Sequence, residues 1–151
     1  MPSFNPEDPS VERSLPVSRR ESARWLAAAR SIQKPRIAYP EWECSIVYVA
    51  LLEGVPRDPP FSLYVGYASG QATEPDAAGR YPCIWRIADA RRYRDHKRDH
   101  KDGKGWVRHW GIGLIPSLYE HLNPMSDRVR RIVEPSLADA LRSTGAAVHQ
   151  A

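Results

Sequence analysis

The stretch CSIVYVALLEGVPRDPPFSLYVGYAS, residues Cys44–Ser69, decides the fold. Its two ends, CSIVYVALLEG and FSLYVGYAS, are rich in β-branched and aromatic residues, the composition of strands. VPRDPP between them is a loop by its proline content. Two apolar strands joined by about ten residues read as an antiparallel hairpin with a long loop. Cys44 lies in the apolar run and reads as a buried thiol. With Cys83 it makes two cysteines, too few for a disulfide framework.

Upstream, MPSFNPEDPSVERSLPVS has little apolar periodicity and reads as a flexible arm. Ser18 and Glu21 then form a Ser-x-x-Glu capping box ahead of RRESARWLAAARSIQ. Three consecutive alanines beside Trp25 and Leu26 predict a short helix that stops before Pro35. It presents Arg19, Arg20, Arg24 and Arg30. The expected organisation is an arm and short helix over 1–40, followed by a folded domain over 41–151.

Downstream, SGQATEPDAAGRYP reads as a second loop. CIWRIADARRYRDHKRDHK changes to helical spacing, with Gly103 as its natural stop. A third strand is expected near Gly113–Pro116 or Ser117–His121. Ser126 can cap a last helix, in which Val129, Ile132, Val133, Leu137, Ala140 and Leu141 repeat at i, i+3, i+4. Gly145 ends it, and AAVHQ reads as a short closing strand. The order helix, two strands, helix, strand, helix predicts an α+β fold, a small antiparallel sheet flanked by helices.

The chain has 151 residues, with five Trp and seven Tyr to build a core. Its net charge of +4 is unevenly spread. Residues 91–110 hold Arg91, Arg92, Arg94, Lys97, Arg98, Lys101, Lys104 and Arg108 against Asp95, Asp99 and Asp102, a local excess of +5. Such a field favours a polyanion such as DNA or RNA. A solvated helix face accounts for the charge equally well. No basic start followed by an apolar core marks a signal peptide, and no apolar run approaches ~20 residues. A cytoplasmic protein is the simplest expectation.

Arg92, His96 and His100 fall on one helical stripe. Two histidines at i, i+4 invite a zinc reading, but no third ligand or intervening Glu completes it. Trp106, His109 and Trp110 could stack bases or serve as core and hinge. Glu41, Glu43 and Glu53 show no paired arrangement.

Ile46-Val47-Tyr48 and Tyr64-Val65-Gly66 occur in order on the two strands. Arg92 follows on a helix, His96 one turn later, and Glu134 on a later helix. This ordered set resembles the GIY-YIG nuclease superfamily, with Ile46 in place of the first glycine. WVRHWGIGLIPSLYEHLNPM and LADALRSTGAAV are similar to a poorly characterised bacterial branch of it. The resemblance covers residues 44–150.

It implies a compact nuclease module that hydrolyses phosphodiester bonds, with DNA a more natural partner than RNA. Glu134 would hold Mg²⁺ or Mn²⁺. Arg92 would pair with phosphate oxygens. Tyr48 would stand near the attacking water, His96 would serve proton transfer, and Tyr64 would bond near the nucleophile or phosphate. Gly66 and His149 are accessory positions, His149 in place of a late Asn. Arg91, Arg94, Lys97, Arg98, Lys101, Lys104 and Arg108 would grip nucleic acid. Two alternatives remain: an inactive binding module on the same fold, and a small protein-interaction domain. The Tyr64–Arg92 connection holds an insertion around Gln71–Ile84, in which Arg80 rivals Arg92. Pro135 is expected to kink the last helix or restart it, leaving Glu134 at a helix end.

Overall fold

The structure, a computed structural model, describes residues 8–35, 44–98 and 105–151. Strands β1 (Ser45–Glu53) and β2 (Phe61–Ser69) form the expected antiparallel hairpin. Ile46 through Leu52 of β1 are all buried, because the strand is central and covered on both faces. That explains its continuous apolar run where a half-exposed strand would alternate. The sheet order is β3-β1-β2-β4, with β3 at Gly111–Leu114 and β4 at Val148–Gln150.

The fold class is α+β, as read from the sequence, but the sheet is mixed. β4 runs parallel to β2, Leu63 facing Val148 and Tyr64 facing His149. Helix α4 (Asp127–Arg142) packs on β1 and β2 between the two strands and carries the chain back, so β4 arrives in the same direction as β2. β3 starts two residues earlier than expected. The Ser117–His121 segment is no strand; turns of 3₁₀ helix cover Pro116–Leu118 and Glu120–Leu122.

Helix α1 (Arg19–Arg30) is capped as predicted, the Ser18 hydroxyl accepting from the Glu21 N–H. It buries Trp25 and Ala29 in the common core. Of residues 8–18, expected as a flexible arm, Pro9–Val11 instead pair with the outer edge of β3 at Leu114, and Glu12–Ser14 form a turn of 3₁₀ helix. Val11 N–H donates to Leu114 O at 2.9 Å, and Leu114 N–H to Pro9 O at 3.0 Å. Gly113 permits this approach: a Cβ there would meet Pro9 O at 2.7 Å. The segment thereby covers an edge strand that would otherwise expose its backbone.

Cys44 and Cys83 form a disulfide, correcting the free buried thiol expected at Cys44. The bond closes the neck of the Gln71–Ile84 insertion. Gln71 bridges Cys83, Ala72 N–H donates to Pro82 O, and Ile84 N–H donates to Gly70 O. The insertion is thus absorbed as a side loop, and helix α2 (Trp85–Lys97) begins at a position fixed to β1 and β2. No helix among the described residues is long and apolar enough to cross a membrane.

Helix α4 is capped by Ser126, whose hydroxyl accepts from Val129 N–H. It continues unbroken through Pro135, so Glu134 lies in mid-helix rather than at the end that proline predicted. Pro135 is itself exposed, and the core residues on both sides of it, Val133, Leu137 and Ala138, hold the helix to the sheet. Burial of that apolar stripe outweighs the local defect of the proline.

Candidate functional site

Hairpin register places the two tyrosines together. Tyr48 faces Gly66 and Ala50 faces Tyr64 across the ladder, so Tyr48, Tyr64 and Gly66 share one face. The rings of Tyr48 and Tyr64 lie 6.1 Å apart. His96 of α2 meets Tyr48 edge-on at 6.4 Å. Gly66 makes the room: a Cβ there would stand 2.5 Å from the Tyr48 ring and hydroxyl and 2.8 Å from Tyr64. Tyr48, Tyr64 and His96 are all buried.

The Tyr48 hydroxyl is sealed from solvent and makes no hydrogen bond of good geometry among the described residues. Burial pushes its pKa well above the ordinary value, Tyr64 adds to that, and the Arg92 guanidinium opposes it. Tyr64 is pushed up to about 12, again chiefly by burial, with Glu134 raising it further and Tyr48 and Arg92 lowering it. Neither phenol is ionised near neutral pH. Tyr48 is therefore a neutral hydroxyl and not a standing phenolate base.

Glu134 is also buried and lies within electrostatic reach of Tyr64. Its direct partners come from elsewhere. Arg130 Nη1 lies 3.5 Å from Glu134 Oε2, and Gln150 is near enough to favour the carboxylate. Burial raises the Glu134 pKa; Arg130 and Gln150 hold it down. Arg130 is fixed in turn, its guanidinium 3.8 Å over the Tyr67 ring and bonded to Asp127 at 2.6 Å. The i, i+4 spacing of Arg130 and Glu134 was legible in the sequence, but the pair went unremarked there.

A carboxylate oxygen suits a hard cation. Magnesium often uses only one or two protein carboxylates, completing its shell with water and substrate phosphate. Glu134 fits that limited demand. No group of three His, Cys, Asp or Glu among the described residues could form a fuller cage. His100, the second histidine of the zinc reading, lies outside the described residues, as do Lys101 and Lys104.

The basic residues of α2 divide by what they touch. Arg91 donates to Gln71 O at 3.0 Å and so braces the insertion. Lys97 donates to Arg108 O and Gly111 O at 3.3 and 3.0 Å, tying α2 to the short helix α3 (Trp106–Trp110) and to β3. Arg94 is half-buried, and Arg98 and Arg108 are exposed. Arg80 is exposed on the side loop, where its backbone N–H donates to Asp76. Arg92 is the arginine that acts on both tyrosines.

His149 is taken up by other contacts. It bonds Asp58 of the β1–β2 loop at 2.5 Å and stacks on Trp106 at 4.0 Å. Trp106 and Trp110 pack together at 5.4 Å against the core. Asn123 pairs with both backbone groups of Val47: Val47 N–H donates to its Oδ1, and its Nδ2 donates to Val47 O. It extends the ladder beside Tyr48 where β3 has ended. No family model, curated protein or solved structure matches this chain.

Proposed function

We propose that this chain is a GIY-YIG-like endonuclease that hydrolyses phosphodiester bonds, in DNA rather than RNA. One observation carries the reading. Of the residues picked out by order in the sequence, Tyr48 and Tyr64 meet over Gly66, His96 packs on Tyr48, and Arg92 and Glu134 lie in electrostatic reach of the tyrosines. In the proposed reaction a water attacks phosphorus and the P–O bond to the leaving oxygen breaks. Once the cluster opens to substrate, the Tyr48 hydroxyl, sealed in this structure, orients that water. Arg92 neutralises charge developing on the phosphoryl oxygens. His96 stands beside Tyr48 to move the proton. When bound, Mg²⁺ or Mn²⁺ would supply charge stabilisation at the phosphoryl and leaving oxygens, and Glu134 is the residue to hold it.

Strand gripping falls to Arg94, Arg98 and Arg108, with Lys101 and Lys104 beyond the described residues. Lys97 and Arg91 serve as braces. A cytoplasmic location suits a nucleic-acid substrate but not the Cys44–Cys83 disulfide, which would there meet a reducing thiol pool. The second reading is a binding module without cleavage. It is favoured by the Arg130–Glu134 pair, which already engages the candidate metal ligand.

The test is a panel of DNA and RNA substrates with Mg²⁺ or Mn²⁺. Cutting should stop on chelation. Arg92→Ala should abolish it while salt-dependent binding persists, because that charge is worth most in the transition state. Binding without any cleavage across the panel would select the module. Absence of binding at low salt would remove both.

A further inference from the structure

A second feature lies along the same helix. Along α2, Trp85, Asp89, Arg92 and His96 share a stripe at i, i+4, i+7 and i+11, the first three half-buried and His96 buried. Arg92 and His96 belong to the tyrosine cluster. Trp85 and Asp89 line a cleft of about 490 Å³ between α2 and the Tyr119–Asn123 turn. Its volume is that of a pocket for one small organic ligand. Trp85 and Arg92 are seven residues apart, about 10 Å along the helix. Asn123, at the cleft's other wall, holds the backbone of Val47 next to Tyr48. The cleft and the cluster are thus linked through helix α2 and through the Val47 backbone.

Its chemistry is mixed. Trp85 provides a half-buried aromatic wall, and the Arg86 guanidinium lies 4.5 Å over that ring. Asp89 is half-buried and its Oδ2 accepts from the Tyr119 hydroxyl at 2.5 Å. Tyr119 is fully buried in the core, so this bond fixes the carboxylate in one orientation. The remaining acceptor positions of Asp89, notably Oδ1, stay available. Glu120 is exposed at the rim.

We propose that this cleft is a subsite for an unstacked guanine next to the scissile phosphate, a proposal that rests on the nucleic-acid reading above. A flipped or single-stranded base is read by stacking on an aromatic ring and by hydrogen bonds to its Watson–Crick edge. Guanine shows two adjacent donors, N1–H and the N2 amino group, beside the O6 acceptor. Asp89 accepts from the two donors, and the exposed Arg86 side chain gives up the Trp85 face to the base and turns to donate to O6. Adenine and cytosine present an acceptor at the ring nitrogen where guanine has a donor. Thymine lacks the amino group. The orienting bond from Tyr119 makes Asp89 a positioned acceptor.

The test measures binding of the full-length protein to fluorescent single-stranded pentanucleotides without added metal. One contains a central guanine; in its twin inosine replaces guanine, removing only the N2 amino group. A third is all thymine. Guanine should bind at least five-fold tighter than inosine and more strongly still relative to thymine. Asp89→Asn keeps the side-chain shape and an acceptor for Tyr119, but cannot accept from two donors; it should erase the guanine–inosine difference. Trp85→Ala should weaken all three oligonucleotides. Equal binding of guanine and inosine by the wild type, or discrimination that survives Asp89→Asn, overturns the subsite. Cleavage with metal in the absence of discrimination leaves the nuclease reading intact while the subsite falls. Discrimination that depends on Asp89, without cleavage, keeps the subsite and refutes catalysis. No binding of any oligonucleotide refutes both.

Discussion

Gly66→Ala is the sharpest perturbation of the tyrosine cluster. The added Cβ would stand 2.5 Å from the Tyr48 Cζ and hydroxyl and 2.8 Å from Tyr64 Cε1. A flexible side-chain end could swing aside from such a clash. Tyr48 and Tyr64 are each 1% exposed and packed in the core, so neither ring has room to swing. The strands must part, or Tyr48 must leave its place beside His96. Overpacking of this kind costs about 1–3 kcal/mol. For a chain of this length that lowers the melting temperature by roughly 2–12 °C. Thermal unfolding monitored by circular dichroism measures it.

The same displacement moves the hydroxyl proposed to orient the attacking water. A shift of about 1 Å in a catalytic group can reduce turnover on the order of 100-fold. Cleavage should therefore fall further than stability explains, measured well below the melting point. A double-mutant cycle isolates the cause. In a Tyr48→Ala background most of the clash is gone, so the added methyl should cost less than in the wild type. Wild-type melting and cleavage by Gly66→Ala would refute the close approach. An equal cost in both backgrounds would refute Tyr48 as its origin.

Glu134→Gln should keep the fold and most nucleic-acid affinity while losing metal-dependent cleavage; full cleavage would place the metal elsewhere. Its pH dependence has a definite sign. The folded pKa of Glu134 is raised, so this group stabilises the fold below its ordinary value of 4.5, and that contribution is lost as pH rises through the folded pKa. Between those two values, relative to Glu134→Gln, wild-type melting temperature should rise on acidification; a fall would contradict burial as the dominant cause. Pro135→Ala should restore a regular turn in α4 and raise stability by about 2–2.6 kcal/mol, the helix-interior cost of proline less its benefit in the unfolded chain. A loss of stability would mean that proline shapes the turn bearing Glu134. Replacing Cys44 and Cys83 by Ser opens a cross-link spanning 39 residues and should cost about 4 kcal/mol by loop entropy. Unchanged melting under oxidising conditions would show that the pair is not bonded in solution.

Local chemistry was enough for the elements themselves. The Ser18 and Ser126 caps, the 3.6-residue period after Ser126 and the crowded apolar strands act within a few residues of chain, so the sequence specifies them directly. The shared face of Tyr48, Tyr64 and Gly66 followed from two strands in one hairpin, because side-chain parity is a local property once register is set. What joined distant segments was decided by the tertiary structure. β4 is parallel because of where α4 delivers it. Cys44 finds Cys83 because the side loop returns to its own neck. His149 is held by Asp58 and Trp106, and Lys97 by carbonyls of α3 and β3, although the family resemblance offered His149 and the local charge offered Lys97 as functional groups. Periodicity records which face of an element is buried, but not which element covers it. The partner of a polar side chain depends on that covering, so Arg130 beside Glu134 and Tyr119 beside Asp89 emerge only when the layers close and each buried polar group must find a bond.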